Sequence, residues 1–253
     1  MIKQIPNLFT LLNLFFGCLA VVTSLQSGLT IVLDGYGEQL VEIPESIFMA
    51  SIFIGIAAII DFLDGFVARL FKATSEIGKQ LDSLADVVSF GVAPSIIVYQ
   101  FLRLSFAQQE GGLDVNTLWL MPAFIIPCCG AYRLARYNLD TQETSSFKGV
   151  PIPAVGLLIA SYPIVYWYSG NANYLINLLR NQWFWYAIII LVSYLMVSTL
   201  PMLSLKFKGV SFKNLLPIIL ILLISFIAAF FVGWFAVTIG FITYVIVSLL
   251  FKN

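Results

Sequence analysis

SIFMASIFIGIAAIIDFLDGFVARLFKATSEIGKQLDSLAD, residues 46–86, runs almost without polar side chains from Ile47 to Ile60 and then places four aspartates, Asp61, Asp64, Asp82 and Asp86, within two short segments. An α-helix rises ~1.5 Å per residue, so about 20 apolar residues cross the ~30 Å hydrocarbon core of a bilayer. The stretch therefore reads as one membrane span over roughly 46–71, a short polar turn, and a second span over 80–102 that runs back. The acidic residues fall where the first span ends and the second begins.

The same pattern extends in both directions. Further spans fit residues 7–27, 117–138, 151–169, 183–200, 214–232 and 234–251, which predicts an all-α, polytopic helix bundle of about eight crossings. The last two come from one apolar run, Leu215 to Phe251, too long for a single crossing and divided at Gly233. The first span exceeds a usual signal-peptide core and lacks an obvious small-residue cleavage site, so it is kept as a span. Composition agrees: 60% of the 253 residues are hydrophobic and 10% charged, too few polar groups to cover a soluble particle. No repeat or linker divides the chain, so residues 1–253 are expected to form a single integral-membrane domain.

Thirteen Lys+Arg balance thirteen Asp+Glu, leaving no basic excess for nucleic acid, which is excluded as a partner. Histidine is absent, so acid–base or metal chemistry has to rest on carboxylates. Cys18, Cys128 and Cys129 lack metal-ligand spacing and are expected to be buried free thiols. With the N-terminus inside, Lys3, Arg69, Lys72, Lys79, Arg133, Arg136, Lys148, Lys206, Lys208, Lys213 and Lys252 fall on the cytoplasmic side and only Arg103 and Arg180 outside. Both termini are then cytoplasmic. The connection carrying Asp34, Glu38, Glu42 and Glu45 is external.

An aspartate at the centre of a membrane helix costs about 2.5–3.5 kcal/mol on insertion scales, so four together imply compensation by cations. Asp61 and Asp64 are three apart and Asp82 and Asp86 four apart, so each pair shares a helix face. Carboxylates without His or Cys suit hard divalent ions, Mg²⁺ or Mn²⁺, and four can hold two ions. Gly65, Ala68 and Gly78 lie one turn from the aspartates and open a cleft for phosphate. Arg69 is placed either to pair with phosphate oxygens or to act as a cytoplasmic anchor. A cytoplasmic-face site for a lipid-linked diphosphate is the reading that follows.

Asp61 x x Asp64 Gly65 x x Ala68 Arg69, eight residues, then Gly78 x x x Asp82 x x x Asp86 resembles the signature of the CDP-alcohol phosphotransferase (CDP-alcohol phosphatidyltransferase) family, with no departure at a fixed position. The resemblance implies that Asp61, Asp64, Asp82 and Asp86 ligate a pair of divalent ions and that Asp86 also takes the proton of the acceptor hydroxyl. It implies contacts to the CDP-lipid from Gly65 and Arg69, with Ala68 and Gly78 lining the cleft, and from Ser75. Pro6 Asn7 x x Thr10 resembles the family's opening segment and brings Asn7 and Thr10 to the nucleotide.

Segments Ser89–Pro94, Gly130–Asn138, Gly149–Ala154 and Ser198–Lys206 resemble the phosphatidylserine synthase branch, which also fits eight spans over a six-helix core. That branch implies CDP-diacylglycerol and L-serine as substrates, giving phosphatidylserine and CMP, in contact with membrane lipids. Arg133 and Arg136, three apart, are candidates to hold the acceptor carboxylate, and equally anchors at the interface. Asn138 and Lys206 are further acceptor-side candidates. Glycerol 3-phosphate or inositol phosphate as acceptor, a cation transporter and a prenyltransferase are the rival readings. The transporter leaves Gly65, Ala68, Arg69 and Gly78 unexplained, and the short Gly/Ala/Arg spacing opposes the prenyltransferase. The sequence admits a homodimer.

Overall fold

A computed structural model of the chain describes residues 5–33, 39–70, 75–109, 111–139, 147–168, 173–203 and 212–251. Helix α1 (Ile5–Gln26) buries Pro6, Thr10, Asn13, Gly17, Ala20 and Ser24, with Ser27 just beyond it, at alternating steps of four and three. That is the seam spacing of packed helices, filled here with small and polar residues. Leu8, Leu11, Leu12, Phe15, Val22 and Leu25 are exposed on the other side. The arrangement inverts a soluble helix, as expected where lipid solvates the apolar face and small residues let backbones approach.

A hairpin of β1 (Thr30–Leu33) and β2 (Gln39–Glu42), in register Thr30↔Glu42, leads into α2 (Phe48–Leu70). Helix α2 runs antiparallel to α1, with Ser27 and Ser46 hydroxyls 3.1 Å apart at one end and Thr10 bonded to Asp64 at the other. Its buried face is Ala50, Ile54, Ala57 and Ile60, continuing to Asp64, with Ile47 buried just before it. Next come α3 (Glu76–Asp86), a wide π turn (Val87–Val92) and α4 (Ala93–Ala107), together one span of 32 residues. Helices α2 and α3 pack on α1 more than on each other.

Two neighbours come unusually close to the π turn. A Cβ on Gly17 would lie 2.2 Å from Ser89 Oγ and 2.9 Å from Ser89 Cα. One on Gly156 of α6 (Ile152–Tyr168) would lie 2.9 Å from Phe90 Cα. Gly17→Ala therefore has to push α1 off the π turn, and overpacking of this kind costs about 1–3 kcal/mol. Unfolding of the variant in detergent should begin at lower temperature or denaturant; an unchanged transition contradicts the close approach.

Helix α5 (Ile125–Leu139) follows three 3₁₀ turns, and α7 (Asn173–Leu179) meets α8 (Gln182–Val197) at a 69° bend. The core lies between α4, α6 and α8, where Trp185 stacks on Phe101 at 4.9 Å and meets Tyr162 edge-on at 5.4 Å. Strands β3 (Phe147–Lys148) and β4 (Pro201–Met202) pair in register Phe147↔Met202. At the end distant from the aspartates, Glu42 bonds to Arg180 and to the Tyr166 hydroxyl, and Tyr168 donates to Glu45 at 2.7 Å. Arg180 and Glu42, read from sequence as lying on one side, do meet, and Glu45 bonds to Tyr168; Asp34 and Glu38 lie outside the described residues.

Helix α9 (Phe212–Val232) and helix α10 (Ala236–Leu250) are separated by a 3₁₀ turn at Gly233–Phe235, with Gly233 at φ +54°. A Cβ on Gly240 would lie 2.5 Å from Ser225 Oγ, so the two halves fold back at Gly233 as a hairpin. The all-α architecture is thus as the sequence predicts, and helices occupy all eight predicted stretches. The count of eight crossings is not confirmed. Among the described residues four helical stretches have the length and apolarity to cross, five if α7 and α8 make one bent span. Helices α5, α6 and α10 have 15, 17 and 15 residues, at or below the lower end of the ~17–25 that cross a ~30 Å core, and α9 and α10 enter that count as one stretch. The cysteines also depart from expectation: they are free, but Cys18 and Cys128 are exposed and Cys129 half-buried, because they lie outside the small-residue seams.

Candidate functional site

Three helices converge on the aspartates. Asp61 and Asp64 stand one turn apart near the C-terminal end of α2, Asp64 buried and Asp61 half-buried. Asp82 and Asp86 stand one turn apart on α3, Asp86 buried at its last residue, where the π turn begins. Carboxylate oxygens of Asp61, Asp64 and Asp82 lie within 4.8 Å of one another. Asp86 is outside that close trio, yet Asp61, Asp82 and Asp64 all act on it electrostatically. Oxygens bound to one divalent ion at ~2.0–2.6 Å lie within about 4–5 Å of each other, so the trio fits a hard-cation shell. The all-oxygen donor set suits Mg²⁺ or Mn²⁺ and lacks the soft ligands that would select another metal.

Helix α1 supplies the supporting groups. The Thr10 hydroxyl donates to Asp64 Oδ2 at 2.9 Å, with the Pro6 carbonyl 3.2 Å away as the competing acceptor. Asn13, fully buried, points Nδ2 at Asp86 Oδ1 across 3.5 Å, while Ser89 Oγ donates to the Asn13 carbonyl at 3.1 Å. Asn13 was absent from the sequence-derived set. Its signal was available: a polar amide inside an apolar run, three residues after Thr10 and therefore on the same face. A side chain that orients a metal-ligating carboxylate typically contributes 10–100-fold to metal affinity or activity. Thr10→Val should accordingly raise the Mg²⁺ concentration for half-maximal activity about tenfold. An unshifted titration contradicts that role.

Ser75 caps α3, accepting from the Gly78 N–H at 3.0 Å. A Cβ on Gly78 would sit 2.9 Å from Asn7 Oδ1, so Asn7, Ser75 and Gly78 meet at the N-terminus of α3. Gly65 is half-buried one residue past Asp64. The backbone of α2 carries Ala68 and Arg69, whose side chains lie outside the described residues, as does Lys206.

The acceptor-side candidates separate. Arg133 is buried, donates from Nη2 to the Gly149 carbonyl at 3.4 Å and interacts electrostatically with Asp86. Arg136 spreads its fork over the last turn of α8, donating to Val197 and Ser198 carbonyls at 2.9 and 3.1 Å. Such an arginine satisfies orphan carbonyls at a helix C-terminus. Asn138 Nδ2 donates to Ser83 Oγ at 2.8 Å and its carbonyl accepts from Lys79 Nζ at 3.3 Å, which fastens the end of α5 to α3 beside Asp82.

A model of the family described as CDP-alcohol phosphatidyltransferase matches residues 3–179. A CDP-diacylglycerol--serine O-phosphatidyltransferase of Helicobacter pylori strain 26695 is 31% identical over 228 residues, covering 88% of this chain and 80% of that one. An archaetidylserine synthase of Methanothermobacter thermautotrophicus is 36% identical over 54% of this chain and 55% of its own. A CDP-diacylglycerol--serine O-phosphatidyltransferase of Saccharomyces cerevisiae is 34% identical over 62% and 52% respectively. The alignments span about half the length of the last two. With the aspartate spacing, the three-helix site and the matched region in agreement, the chain belongs to the CDP-alcohol phosphatidyltransferase family.

Proposed function

We propose that this protein transfers the phosphatidyl group of CDP-diacylglycerol to L-serine, releasing CMP and phosphatidylserine, as one membrane domain whose site faces the cytoplasm. The observation that carries the chemistry is the approach of Asp61, Asp64 and Asp82 within 4.8 Å, with Asp86 one turn deeper. Serine as acceptor is supported by the names of the relatives, bacterial, archaeal and yeast, in which serine recurs.

In this reading Asp61, Asp64, Asp82 and Asp86 hold one or two divalent ions. When bound, Mg²⁺ or Mn²⁺ neutralises charge on the diphosphate and makes CMP a better leaving group. Asn7, Ser75 and Gly78, together with Gly65, Ala68 and Arg69, line the cleft for the CDP-lipid. Asp86 accepts the proton of the serine hydroxyl as its oxygen bonds to the lipid-side phosphorus and the bond from that phosphorus to CMP breaks. Asn13 aims the Asp86 carboxylate, and Arg133 takes the acceptor carboxylate in a charge-assisted contact. Arg136 and Asn138 act one step back, by fixing α8 and α5 around Arg133.

Purified protein given CDP-diacylglycerol and Mg²⁺ should release CMP with L-serine and far less with glycerol 3-phosphate or inositol phosphate. Release led by either phosphate-bearing acceptor contradicts the serine assignment. Ion flux across liposomes without CMP release would contradict the enzyme reading as a whole.

A further inference from the structure

We infer that Tyr244 on the last helix positions the Arg133 guanidinium for the acceptor's carboxylate, so that α10 completes the acceptor side of the site. The inference rests on the reading of the chain as a serine phosphatidyltransferase. Arg133 is 6% exposed and its Nε has no hydrogen-bond partner. A buried guanidinium with an idle donor is costly unless an anion meets it. Asp86, assigned to deprotonate the acceptor hydroxyl, is among the charged groups within electrostatic reach of the guanidinium.

What holds Arg133 traces back to α10. The Gly149 carbonyl that accepts from Arg133 belongs to a residue at φ +73°, whose N–H donates to the Leu200 carbonyl at 2.9 Å. The adjoining β3 pairs with β4, which leads into Leu203. Leu203 is gripped twice by α10: its N–H donates to Ser248 Oγ at 3.2 Å, and its carbonyl accepts from the Tyr244 hydroxyl at 3.3 Å. Tyr244 is itself buried, within electrostatic reach of the Arg133 guanidinium. One hydroxyl thus donates to the strap that leads back to the Arg133 acceptor, Gly149. Helix α10 lies beyond residues 3–179, the part matched by the family model, so this acceptor-side element is an addition to the common core.

Tyr244→Phe removes the hydroxyl and keeps the ring in its buried seat. The full-length variant, assayed with L-serine and with L-serinamide, which retains the hydroxyl and amine but lacks the carboxylate, should show a KM for serine raised about tenfold. Its kcat and its KM for CDP-diacylglycerol should stay within about twofold, which also reports an intact fold, and its preference for serine over serinamide should fall by the same factor of about ten. A serine KM that does not move, or an equal loss with both acceptors, overturns the positioning role. Unaltered protein that releases no CMP with serine overturns the functional reading and this inference together; unaltered protein active on serine beside an unaffected Tyr244→Phe overturns the inference alone.

Discussion

Asp86→Asn should abolish CMP release, lowering turnover by about 10³-fold or more, while CDP-diacylglycerol still binds. The side chain sits at the junction where α3 gives way to the π turn, buried between Asn13 of α1 and the three other aspartates. Asparagine has nearly the same shape and leaves the packing of Ser89 and Gly17 below it undisturbed. It cannot take up the proton that the acceptor hydroxyl has to lose, and general-base catalysis alone contributes about 10²–10⁴-fold. Asn7, Ser75 and Gly78, proposed to contact the nucleotide, lie at the opposite end of α3 and are untouched. Turnover measured beside equilibrium binding of the CDP-lipid separates the two effects. A variant with ordinary turnover removes Asp86 from the chemistry.

The second large effect is expected at Asp61. It is one of three carboxylates whose oxygens share a 4.8 Å span, and Asp61→Ala leaves two. Loss of even a supporting partner costs about 10–100-fold in metal affinity or activity, so loss of a ligand should cost at least that and shift the Mg²⁺ titration to higher concentration in parallel. Activity that persists in Asp61→Ala with divalent ions chelated contradicts the assignment of these residues as ligands.

Much of this site was legible before the fold. Aspartates three and four apart inside apolar helices have few inexpensive explanations, and the structure brings Asp61, Asp64 and Asp82 together as their spacing implies. The motif implies that Thr10 reaches the nucleotide, whereas the structure sets its hydroxyl on Asp64, and Asn13 stands out less in the sequence because a neutral amide costs less to bury than a carboxylate. Around the π turn after Asp86, Gly17 and Gly156, distant in sequence, approach the backbone from two sides, and Pro94 just beyond it cannot donate the hydrogen bond of a regular turn. Arg133 and Arg136 look alike at three-residue spacing, and only the position of the α8 terminus assigns one to a buried seat near Asp86 and the other to a helix end. Helix existence followed from apolarity, whereas the number of crossings is not confirmed, since apolar run length records neither where 3₁₀ turns shorten α5 nor how far α7 bends from α8. The hairpin at Gly233 was suggested by one glycine and is secured by the contact of Gly240 with Ser225.

Manganese offers the most direct examination of the whole account, because its anomalous scattering locates it without reference to activity. Crystals of the protein grown with Mn²⁺ and CDP-diacylglycerol should show anomalous peaks between α2 and α3, ringed by Asp61, Asp64, Asp82 and Asp86, with the diphosphate against them. Manganese bound elsewhere, or a diphosphate seated away from these carboxylates, would contradict it.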